Sequence, residues 1–555
     1  MPDLALPFEP VLRRIGAEAD RLGVDAYVVG GAVRDALLGR PTTDLDVVAV
    51  GSGSGIALAE AVARAFGARP PAVYPAFGTA AVTLPAGQGA DPAASRQSDG
   101  GRLVVEFVGA RRESYRADSR KPVVEDGTLD EDLARRDFTV NALAASLADG
   151  RFGETVDPFG GLADLAAGRL RTPLDPATTF GDDPLRMLRA ARFAAQLGFD
   201  VVPEAVEAMA DAADRIEIVS PERVTDELNK LLASPAPQTG LALLYRTGLL
   251  EHILPEVTRL AGVEEVGGRA HKDNFWHTLE VLENLVHLQT GEGVGDRAEG
   301  DDLWLRWAAL LHDVGKAVTK RYERGTGWTF HGHEDVGPRK IIPEVFRRLR
   351  LPLGPPLDTV QTLVRLHHRP TALVDEDVTD SAVRRLLVDA GDRLDDLMLL
   401  VRADVTSKNA RRVRRYLAGF DRVEERFREV EERDRMRNWE PPVSGDEIKE
   451  RLGLGEGVAV GILKEWVREA VLEGDVPNEH DAAWAYVLDH QDEALRRGAL
   501  FDEVIRTLRG PERAAIGAVK DALFWDDLPD DPGAARAVLD RVKAETLAER
   551  EADRG

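Results

Sequence analysis

The chain contains no cysteine. That excludes disulfide frameworks, thiolate metal sites and cysteine nucleophiles, and it fits a cytoplasmic protein. Aromatic residues are sparse at 6%, and no stretch of roughly 18 apolar residues offers a membrane span. The opening MPDLALPFEPVLRRIG has neither a basic start nor a long apolar core, so no secretory signal is expected. Positive charge is also short: 72 Lys and Arg stand against 97 Asp and Glu, a formal net charge of −25. Taken alone, this argues against a polyanionic partner, although a local basic groove can sit on an acidic body. What is present suits a globular protein, with 43% hydrophobic and 30% charged residues. At about 150 residues per domain, 555 residues suggest three to four domains.

Val11, Leu12, Ile15, Ala19 and Leu22 recur at helical spacing. A strand–turn–helix–turn–strand unit follows: YVVGG, then AVRDALLG, then LDVVAV. Residues 55–66 return to helical spacing, and AAVTL and RLVVEFV read as two further strands. The Gly/Ser-rich stretch between them reads as a hairpin insertion. From about residue 160 strand signals stop, and amphipathic helices with Ser-Pro or Asp-Asp-Pro starts take over.

Chemistry concentrates first in Gly30-Gly31-Ala32-Val33-Arg34-Asp35 and the following Asp44-Leu45-Asp46. Paired glycines between strand and helix let the backbone approach a phosphate, and Arg34 offers a bidentate guanidinium. Asp44 and Asp46, two apart on a strand, face one side and suit joint binding of Mg²⁺. Each feature alone has an ordinary reading, a turn or a solvated strand end. Their order resembles the active-site signature of the nucleotidyltransferases that include tRNA CCA-adding enzymes and bacterial poly(A) polymerases. The similarity continues through Arg135-Arg136-Asp137-Phe138-Thr139-Val140-Asn141-Ala142 and Asp157-Pro158-Phe159-Gly160-Gly161. It extends to Asp182-Asp183-Pro184-Leu185-Arg186 with Arg189 and Arg192, and to Glu222-Arg223 and Glu227-Leu228. Asp182 stands where that family usually has Glu.

The resemblance implies catalytic Asp44 and Asp46, and nucleotide contacts from Gly30, Gly31, Arg34, Arg135, Arg136, Asp183, Arg186, Arg189 and Arg192. Asp183 and Arg186, three apart on an expected helix, would share a face and read the base edge. Arg189 and Arg192 continue that face, toward phosphates or, in the plainer reading, toward solvent. Glu106 is a candidate third carboxylate or an outward strand residue. Residues 110–127 correspond to the family's flexible loop, implicated in the change from C to A addition.

A second constellation is His277, His312-Asp313 and Asp404. Isolated histidines in apolar segments are usually core residues, but imidazoles beside an aspartate suit a divalent ion. The spacing resembles the HD phosphohydrolase superfamily, with His333 and His367 as further candidate ligands. An HD domain after such a head occurs in many bacterial CCA-adding enzymes.

The expected fold is therefore an α/β head with a polymerase-β-like mixed sheet, followed by all-α neck, HD and tail regions. Expected boundaries are 1–153 head, 154–262 neck, 263–415 HD domain, 416–500 helical body and 501–555 acidic helical extension. The resemblance implies addition of CMP, CMP and AMP from CTP and ATP to the tRNA 3′ end. Mg²⁺ would serve the head and a divalent metal the HD site. A poly(A) polymerase, a CC-only or A-only enzyme, and an HD phosphohydrolase with an RNA-binding head are the alternatives.

Overall fold

The computed structural model describes residues 4–42, 45–51, 53–74, 78–84, 103–116, 119–266, 269–290, 301–374, 379–407, 409–434, 436, 439–526, 528–529 and 531–552. Asp44 and the Gly/Ser-rich stretch 85–102 lie outside them. The chain divides into two units, Met1–Arg365 and Leu366–Gly555.

The first unit opens on α1 (Glu9–Leu22), then β1 (Ala26–Val29), α2 (Gly31–Leu37), β2 (Leu45–Ala49) and α3 (Ser54–Phe66). Strands β3 (Ala72–Tyr74), β4 (Thr79–Leu84), β5 (Leu103–Gly109), β8 (Ala144–Ser146) and β9 (Thr155–Val156) complete the sheet, while β6 (Arg111–Arg116) and β7 (Ser119–Asp126) form a separate hairpin. Among the described residues the main sheet has seven strands in the order β3-β4-β5-β2-β1-β8-β9. Only β2 and β5 run parallel; the other neighbours are antiparallel.

Side-chain alternation splits this sheet into two faces. Ala26 and Val28 of β1, with Leu45, Val47 and Ala49 of β2, pack on Leu12, Ile15, Leu58 and Val62 of α1 and α3. Tyr27, Val29 and Val48 face the other way, against Ala142 and Ala144. Asp46 shares this second face with Val48 and lies in register between Val29 and Glu106. Within the segment matched to the flexible loop, 110–127, β6 and β7 pair antiparallel, Arg111 opposite Asp126, with an irregularity between Ser114 and Arg116.

The rest of the unit is mainly helical, but strands do not stop at 160 as expected: Arg169–Leu170 pairs with Asp200–Val201, Glu265–Val266 with Arg269–Ala270, and Arg321–Glu323 with Gly327–Thr329. The helices are α4 (Leu129–Ala134), α5 (Gly161–Ala167), α6 (Pro176–Asp182), α7 (Leu185–Leu197), α8 (Pro203–Asp211), α9 (Pro221–Leu232) and α10 (Pro237–Arg246). Then come α11 (Leu249–Ile253), α12 (Pro255–Thr258), α13 (Asn274–Thr290) and α14 (Asp301–Leu311). The Asp157-Pro158-Phe159-Gly160-Gly161 motif is a helix start. The Asp157 carboxylate accepts from the amides of Gly161 (2.7 Å) and Leu162 (2.9 Å). Thr139 donates to Asp164 at 2.7 Å, and a Cβ on Gly161 would lie 2.2 Å from the Thr139 carbonyl oxygen. Only glycine permits that approach.

The second unit is helical among the described residues, with long helices at Ala410–Asp434, Val458–Glu473, His480–Thr507 and Pro532–Ala552. One core gathers Val443, Ile448, Leu463 and Trp484; another gathers Val504, Val519, Leu523 and Leu539. Two expected boundaries, 415/416 and 500/501, fall inside helices, since charged helical periodicity shows no break there. No described helix is long and apolar enough to cross a membrane.

Candidate functional site

The head's chemistry gathers where β1 turns into α2. Gly30 has φ 73° and ψ −128°, a conformation for glycine, and the Arg136 guanidinium sits 2.8 Å from where a Cβ would project. A cavity of about 680 Å³ opens at this turn. Asp46, Gly30, Gly31 and Arg34 line it, as do Arg135, Arg136, Asp183, Arg186, Arg189 and Arg192. With Arg223 and Lys230, its wall carries eight cationic side chains against four aspartates among the described residues. The acidic chain thus holds a concentrated basic pocket, with Asp46 in its wall. Glu106 is exposed, flanks Asp46 in register on β5, and does not line the cavity.

The arginines are held by carboxylates. Arg34, buried, donates to Asp35 at 2.9 and 2.8 Å and to the Asn141 side-chain oxygen at 2.7 Å. Arg135 and Arg136 both reach Asp132, at 2.5 and 3.2 Å. Burial pushes that carboxyl up, but Arg136 and Arg135 outweigh it and hold it below its ordinary value. The same contest decides Asp137: burial raises it, yet Arg189, Asn141 and the Phe138 amide bring it from 3.8 to about 2.

One expectation needs correction, and one plainer alternative falls. Asp183 and Arg186 do not share a helix. Asp183 is extended, φ −139° and ψ 101°, because Pro184 disfavours helical geometry in the residue before it. Its carboxylate accepts from the Leu185 amide at 3.2 Å and from Arg223 at 2.9 Å. Arg186 donates to the carbonyls of Thr179 (3.0 Å) and Arg135 (2.6 Å), tying α6 and α4 to α7. Nor is the Arg189–Arg192 face solvated. Arg189 bridges Asp137 (2.7 Å) and Glu227 (3.3 Å), and Arg192 meets Glu227 at 2.6 Å. Beneath them lies Phe193, its ring centroid 4.0 Å from the Arg192 guanidinium and 5.2 Å from those of Arg34 and Arg189.

Asp137, Asn141, Arg223 and Glu227 were therefore adjacent to the residues singled out, inside the same motifs, and hold them in place. A pH dependence follows. A carboxyl whose folded pKa lies below its ordinary 3.8 contributes stability that is complete above about pH 4 and is lost as pH falls toward 2. Urea midpoints measured from pH 5 to pH 2 are expected to fall more steeply for the wild type than for Asp137→Asn. Parallel curves would remove Asp137 from this role.

The second constellation splits between the two units. His277 lies on α13, while His312 and Asp313 follow the end of α14, in a turn. Lys316 Nζ holds that turn by donating to Asp313 at 2.7 Å. His277, His312 and Asp313 are buried and offer ligand atoms within 4.8 Å of one another. Nε2 of His312, His333 and His277 lies 3.4, 3.6 and 3.8 Å from the Asp313 carboxylate oxygens. Nδ1 of His312 and of His333 each face a backbone carbonyl at 2.8 Å, a contact that fixes ring orientation. Lys272 Nζ lies 2.9 Å from His277 Nδ1. Buried imidazoles around one carboxylate form a donor set suited to a borderline divalent ion. His367 and Asp404 belong to the second unit; His367 is buried and Asp404 ends the helix Leu394–Ala403.

Gly315 brings the two halves of the first-unit cluster together: a Cβ there would lie 2.3 Å from the His333 carbonyl oxygen. Gly315→Ala is expected to cost about 1–3 kcal/mol through overpacking and to lower bound-metal stoichiometry. Elemental analysis and thermal melts check this; unchanged values of both would contradict the packing argument.

Comparison with known proteins agrees with this layout. Residues 26–171 match the poly A polymerase head domain, 198–260 the probable RNA and SrmB-binding site of polymerase A, and 274–405 the HD domain. The chain is 36% identical over 366 residues to the A-adding tRNA nucleotidyltransferase of Deinococcus radiodurans, covering 64% of this chain and 78% of that one. It is 38% identical over 340 residues to the multifunctional CCA protein of Nitrosococcus oceani, covering 59% and 71%. The crystal structure of the Bacillus stearothermophilus CCA-adding enzyme in complex with CTP is similar at a TM-score of 0.57 and 25% identity, covering 86% of this chain and 96% of that one. With the head, the RNA-binding segment and the HD domain in this order, the chain belongs to the tRNA nucleotidyltransferase family.

Proposed function

We propose that the head adds CMP, CMP and AMP, from CTP and ATP, to the 3′ end of tRNA in the cytoplasm without a nucleic-acid template. The observation that carries this reading is the arginine-walled cavity beside Asp46, in a chain whose net charge is −25. Such a pocket suits a triphosphate, and its carboxylate suits Mg²⁺. Gly30 and Gly31 leave room for the phosphates against the backbone, and Arg34 and Arg136 face their charge. Arg186 keeps N–H donors beyond its two carbonyl bonds, and Asp183 keeps acceptor capacity, so the pair can meet the edges of C and A. Arg189 and Arg192 border the same space, held by Asp137 and Glu227.

Asp46, with Asp44 two residues earlier and Glu106 beside it in register, supplies the hard oxygen ligands that Mg²⁺ prefers. When bound, that ion supplies charge neutralisation for the triphosphate and acidity for the attacking hydroxyl. For the HD region we propose that His277, His312, Asp313 and His333 hold a divalent ion, which supplies Lewis acidity for phosphoester hydrolysis.

The test is product length. The protein is incubated with tRNA lacking its end and with labelled CTP, labelled ATP, or both. Addition of C, C and A only when both are present is expected. Addition of A alone to tRNA ending in CC would favour the second reading, suggested by the A-adding relative. Long A tracts would favour a poly(A) polymerase, and no incorporation would overturn the proposal.

A further inference from the structure

Residues 405–420 contain no Asp or Glu, yet Lys408, Arg411, Arg412, Arg414 and Arg415 fall among them. In a chain with 97 acidic residues this is a sharp local reversal of charge. The four arginines stand in the opening turns of the helix Ala410–Asp434, where Asn409 caps the amides of Arg411 (3.0 Å) and Arg412 (3.2 Å). Cations at a helix N-terminus oppose the macrodipole, so the placement works against the fold. It is also uncompensated: all four are exposed and form no ion pair among the described residues.

Several other arginines of this unit are neutralised. Arg402 meets Asp421 (2.8 Å) and Glu424 (2.9 Å), while Arg426 and Arg433 share Asp380 at 2.9 and 2.8 Å. At 100° per residue Arg411, Arg414 and Arg415 project to one side, a turn apart. Tyr416 braces the group, its ring centroid 5.6 Å from the guanidiniums of both Arg412 and Arg415. Hydrogen bonding from Arg412 and the charge of both arginines hold its phenol below the ordinary value.

We propose that Arg411, Arg412, Arg414 and Arg415 form a docking surface for the phosphate backbone of RNA. Guanidiniums without carboxylate partners are matched by phosphates, which they bind bidentately. A lipid surface fits less well, because the helix's apolar stripe of Phe420, Val423, Phe427 and Val430 is already buried and has nothing to insert. This assignment rests on the function proposed above and adds to it a contact for the tRNA backbone on the second unit.

The experiment compares the full-length wild type with R414E/R415E. Labelled tRNA lacking its end is titrated by fluorescence anisotropy from 50 to 300 mM salt. The variant is expected to bind at least about tenfold more weakly, with a log–log salt slope shallower by about two. Its thermal midpoint should hold or rise, since acids suit a helix N-terminus, and CTP binding should be unchanged. If the variant melts lower, R414Q/R415Q must show the same weakened, less salt-dependent binding. Equal affinity and slope in variant and wild type overturn the surface while leaving the proposed function standing. Failure of the wild type to bind tRNA overturns both. Loss of binding to phosphatidylglycerol vesicles, with tRNA binding intact, reassigns the surface to lipid and overturns the proposal.

Discussion

Asp46→Ala is expected to reduce nucleotide incorporation by at least about a thousandfold, equivalent to about 4 kcal/mol of transition-state stabilisation. The side chain lies on the open face of β2, in register with Val29 and Glu106, and those backbone pairings do not depend on its carboxylate. The fold should therefore survive while the chemistry does not. Single-turnover incorporation with tRNA lacking its end measures the loss, and circular dichroism melts report the fold. Activity within tenfold of wild type would eliminate the proposed mechanism, because no other aspartate of β2 faces that cavity among the described residues.

Glu227→Ala should have the largest effect on stability. Its carboxylate is 4% exposed and sits between Arg189 and Arg192, at 3.3 and 2.6 Å. Removing one member of a buried ion network leaves charge without compensation, at a cost of about 3–5 kcal/mol. Arg192 would retain Gln196 at 3.1 Å and the Phe193 ring, neither of which carries negative charge. Urea unfolding of the single variant should show that cost. The double variant R192M/E227L should recover much of it, because an apolar pair of similar volume avoids desolvating the charges. A double variant as unstable as the two singles combined would mean that the residues act independently.

Local pattern made part of this architecture readable in advance. The β1–α2–β2 unit follows from a short β-rich run, two glycines and an alternating strand, all within some 25 residues, and those positions fold as expected. The shared helix expected for Asp183 and Arg186 fails for an equally local reason: spacing on a helix means nothing when Pro184 sets the residue before it in extended geometry. Arg189 and Arg192 were harder. Their carboxylate partners Asp137 and Glu227 lie 52 and 35 to 38 positions away, so a solvated face and a buried network look alike on paper. His277, His312 and Asp313 lie within reach of one another, but their spacing in the sequence gives no sign that a turn fixed by Lys316 carries the last two.

The guanidiniums around Phe193 carry one more implication. Immobilising a free arginine costs up to about 2 kcal/mol of rotamer entropy. Arg34, Arg189 and Arg192 are already fixed by carboxylate or amide partners and by the ring beneath them. Folding of the head has met that entropic cost before any nucleotide arrives. Under the proposed function an incoming nucleotide would meet groups already in place, and such a preorganised wall can discriminate between bases in the absence of a complementary strand.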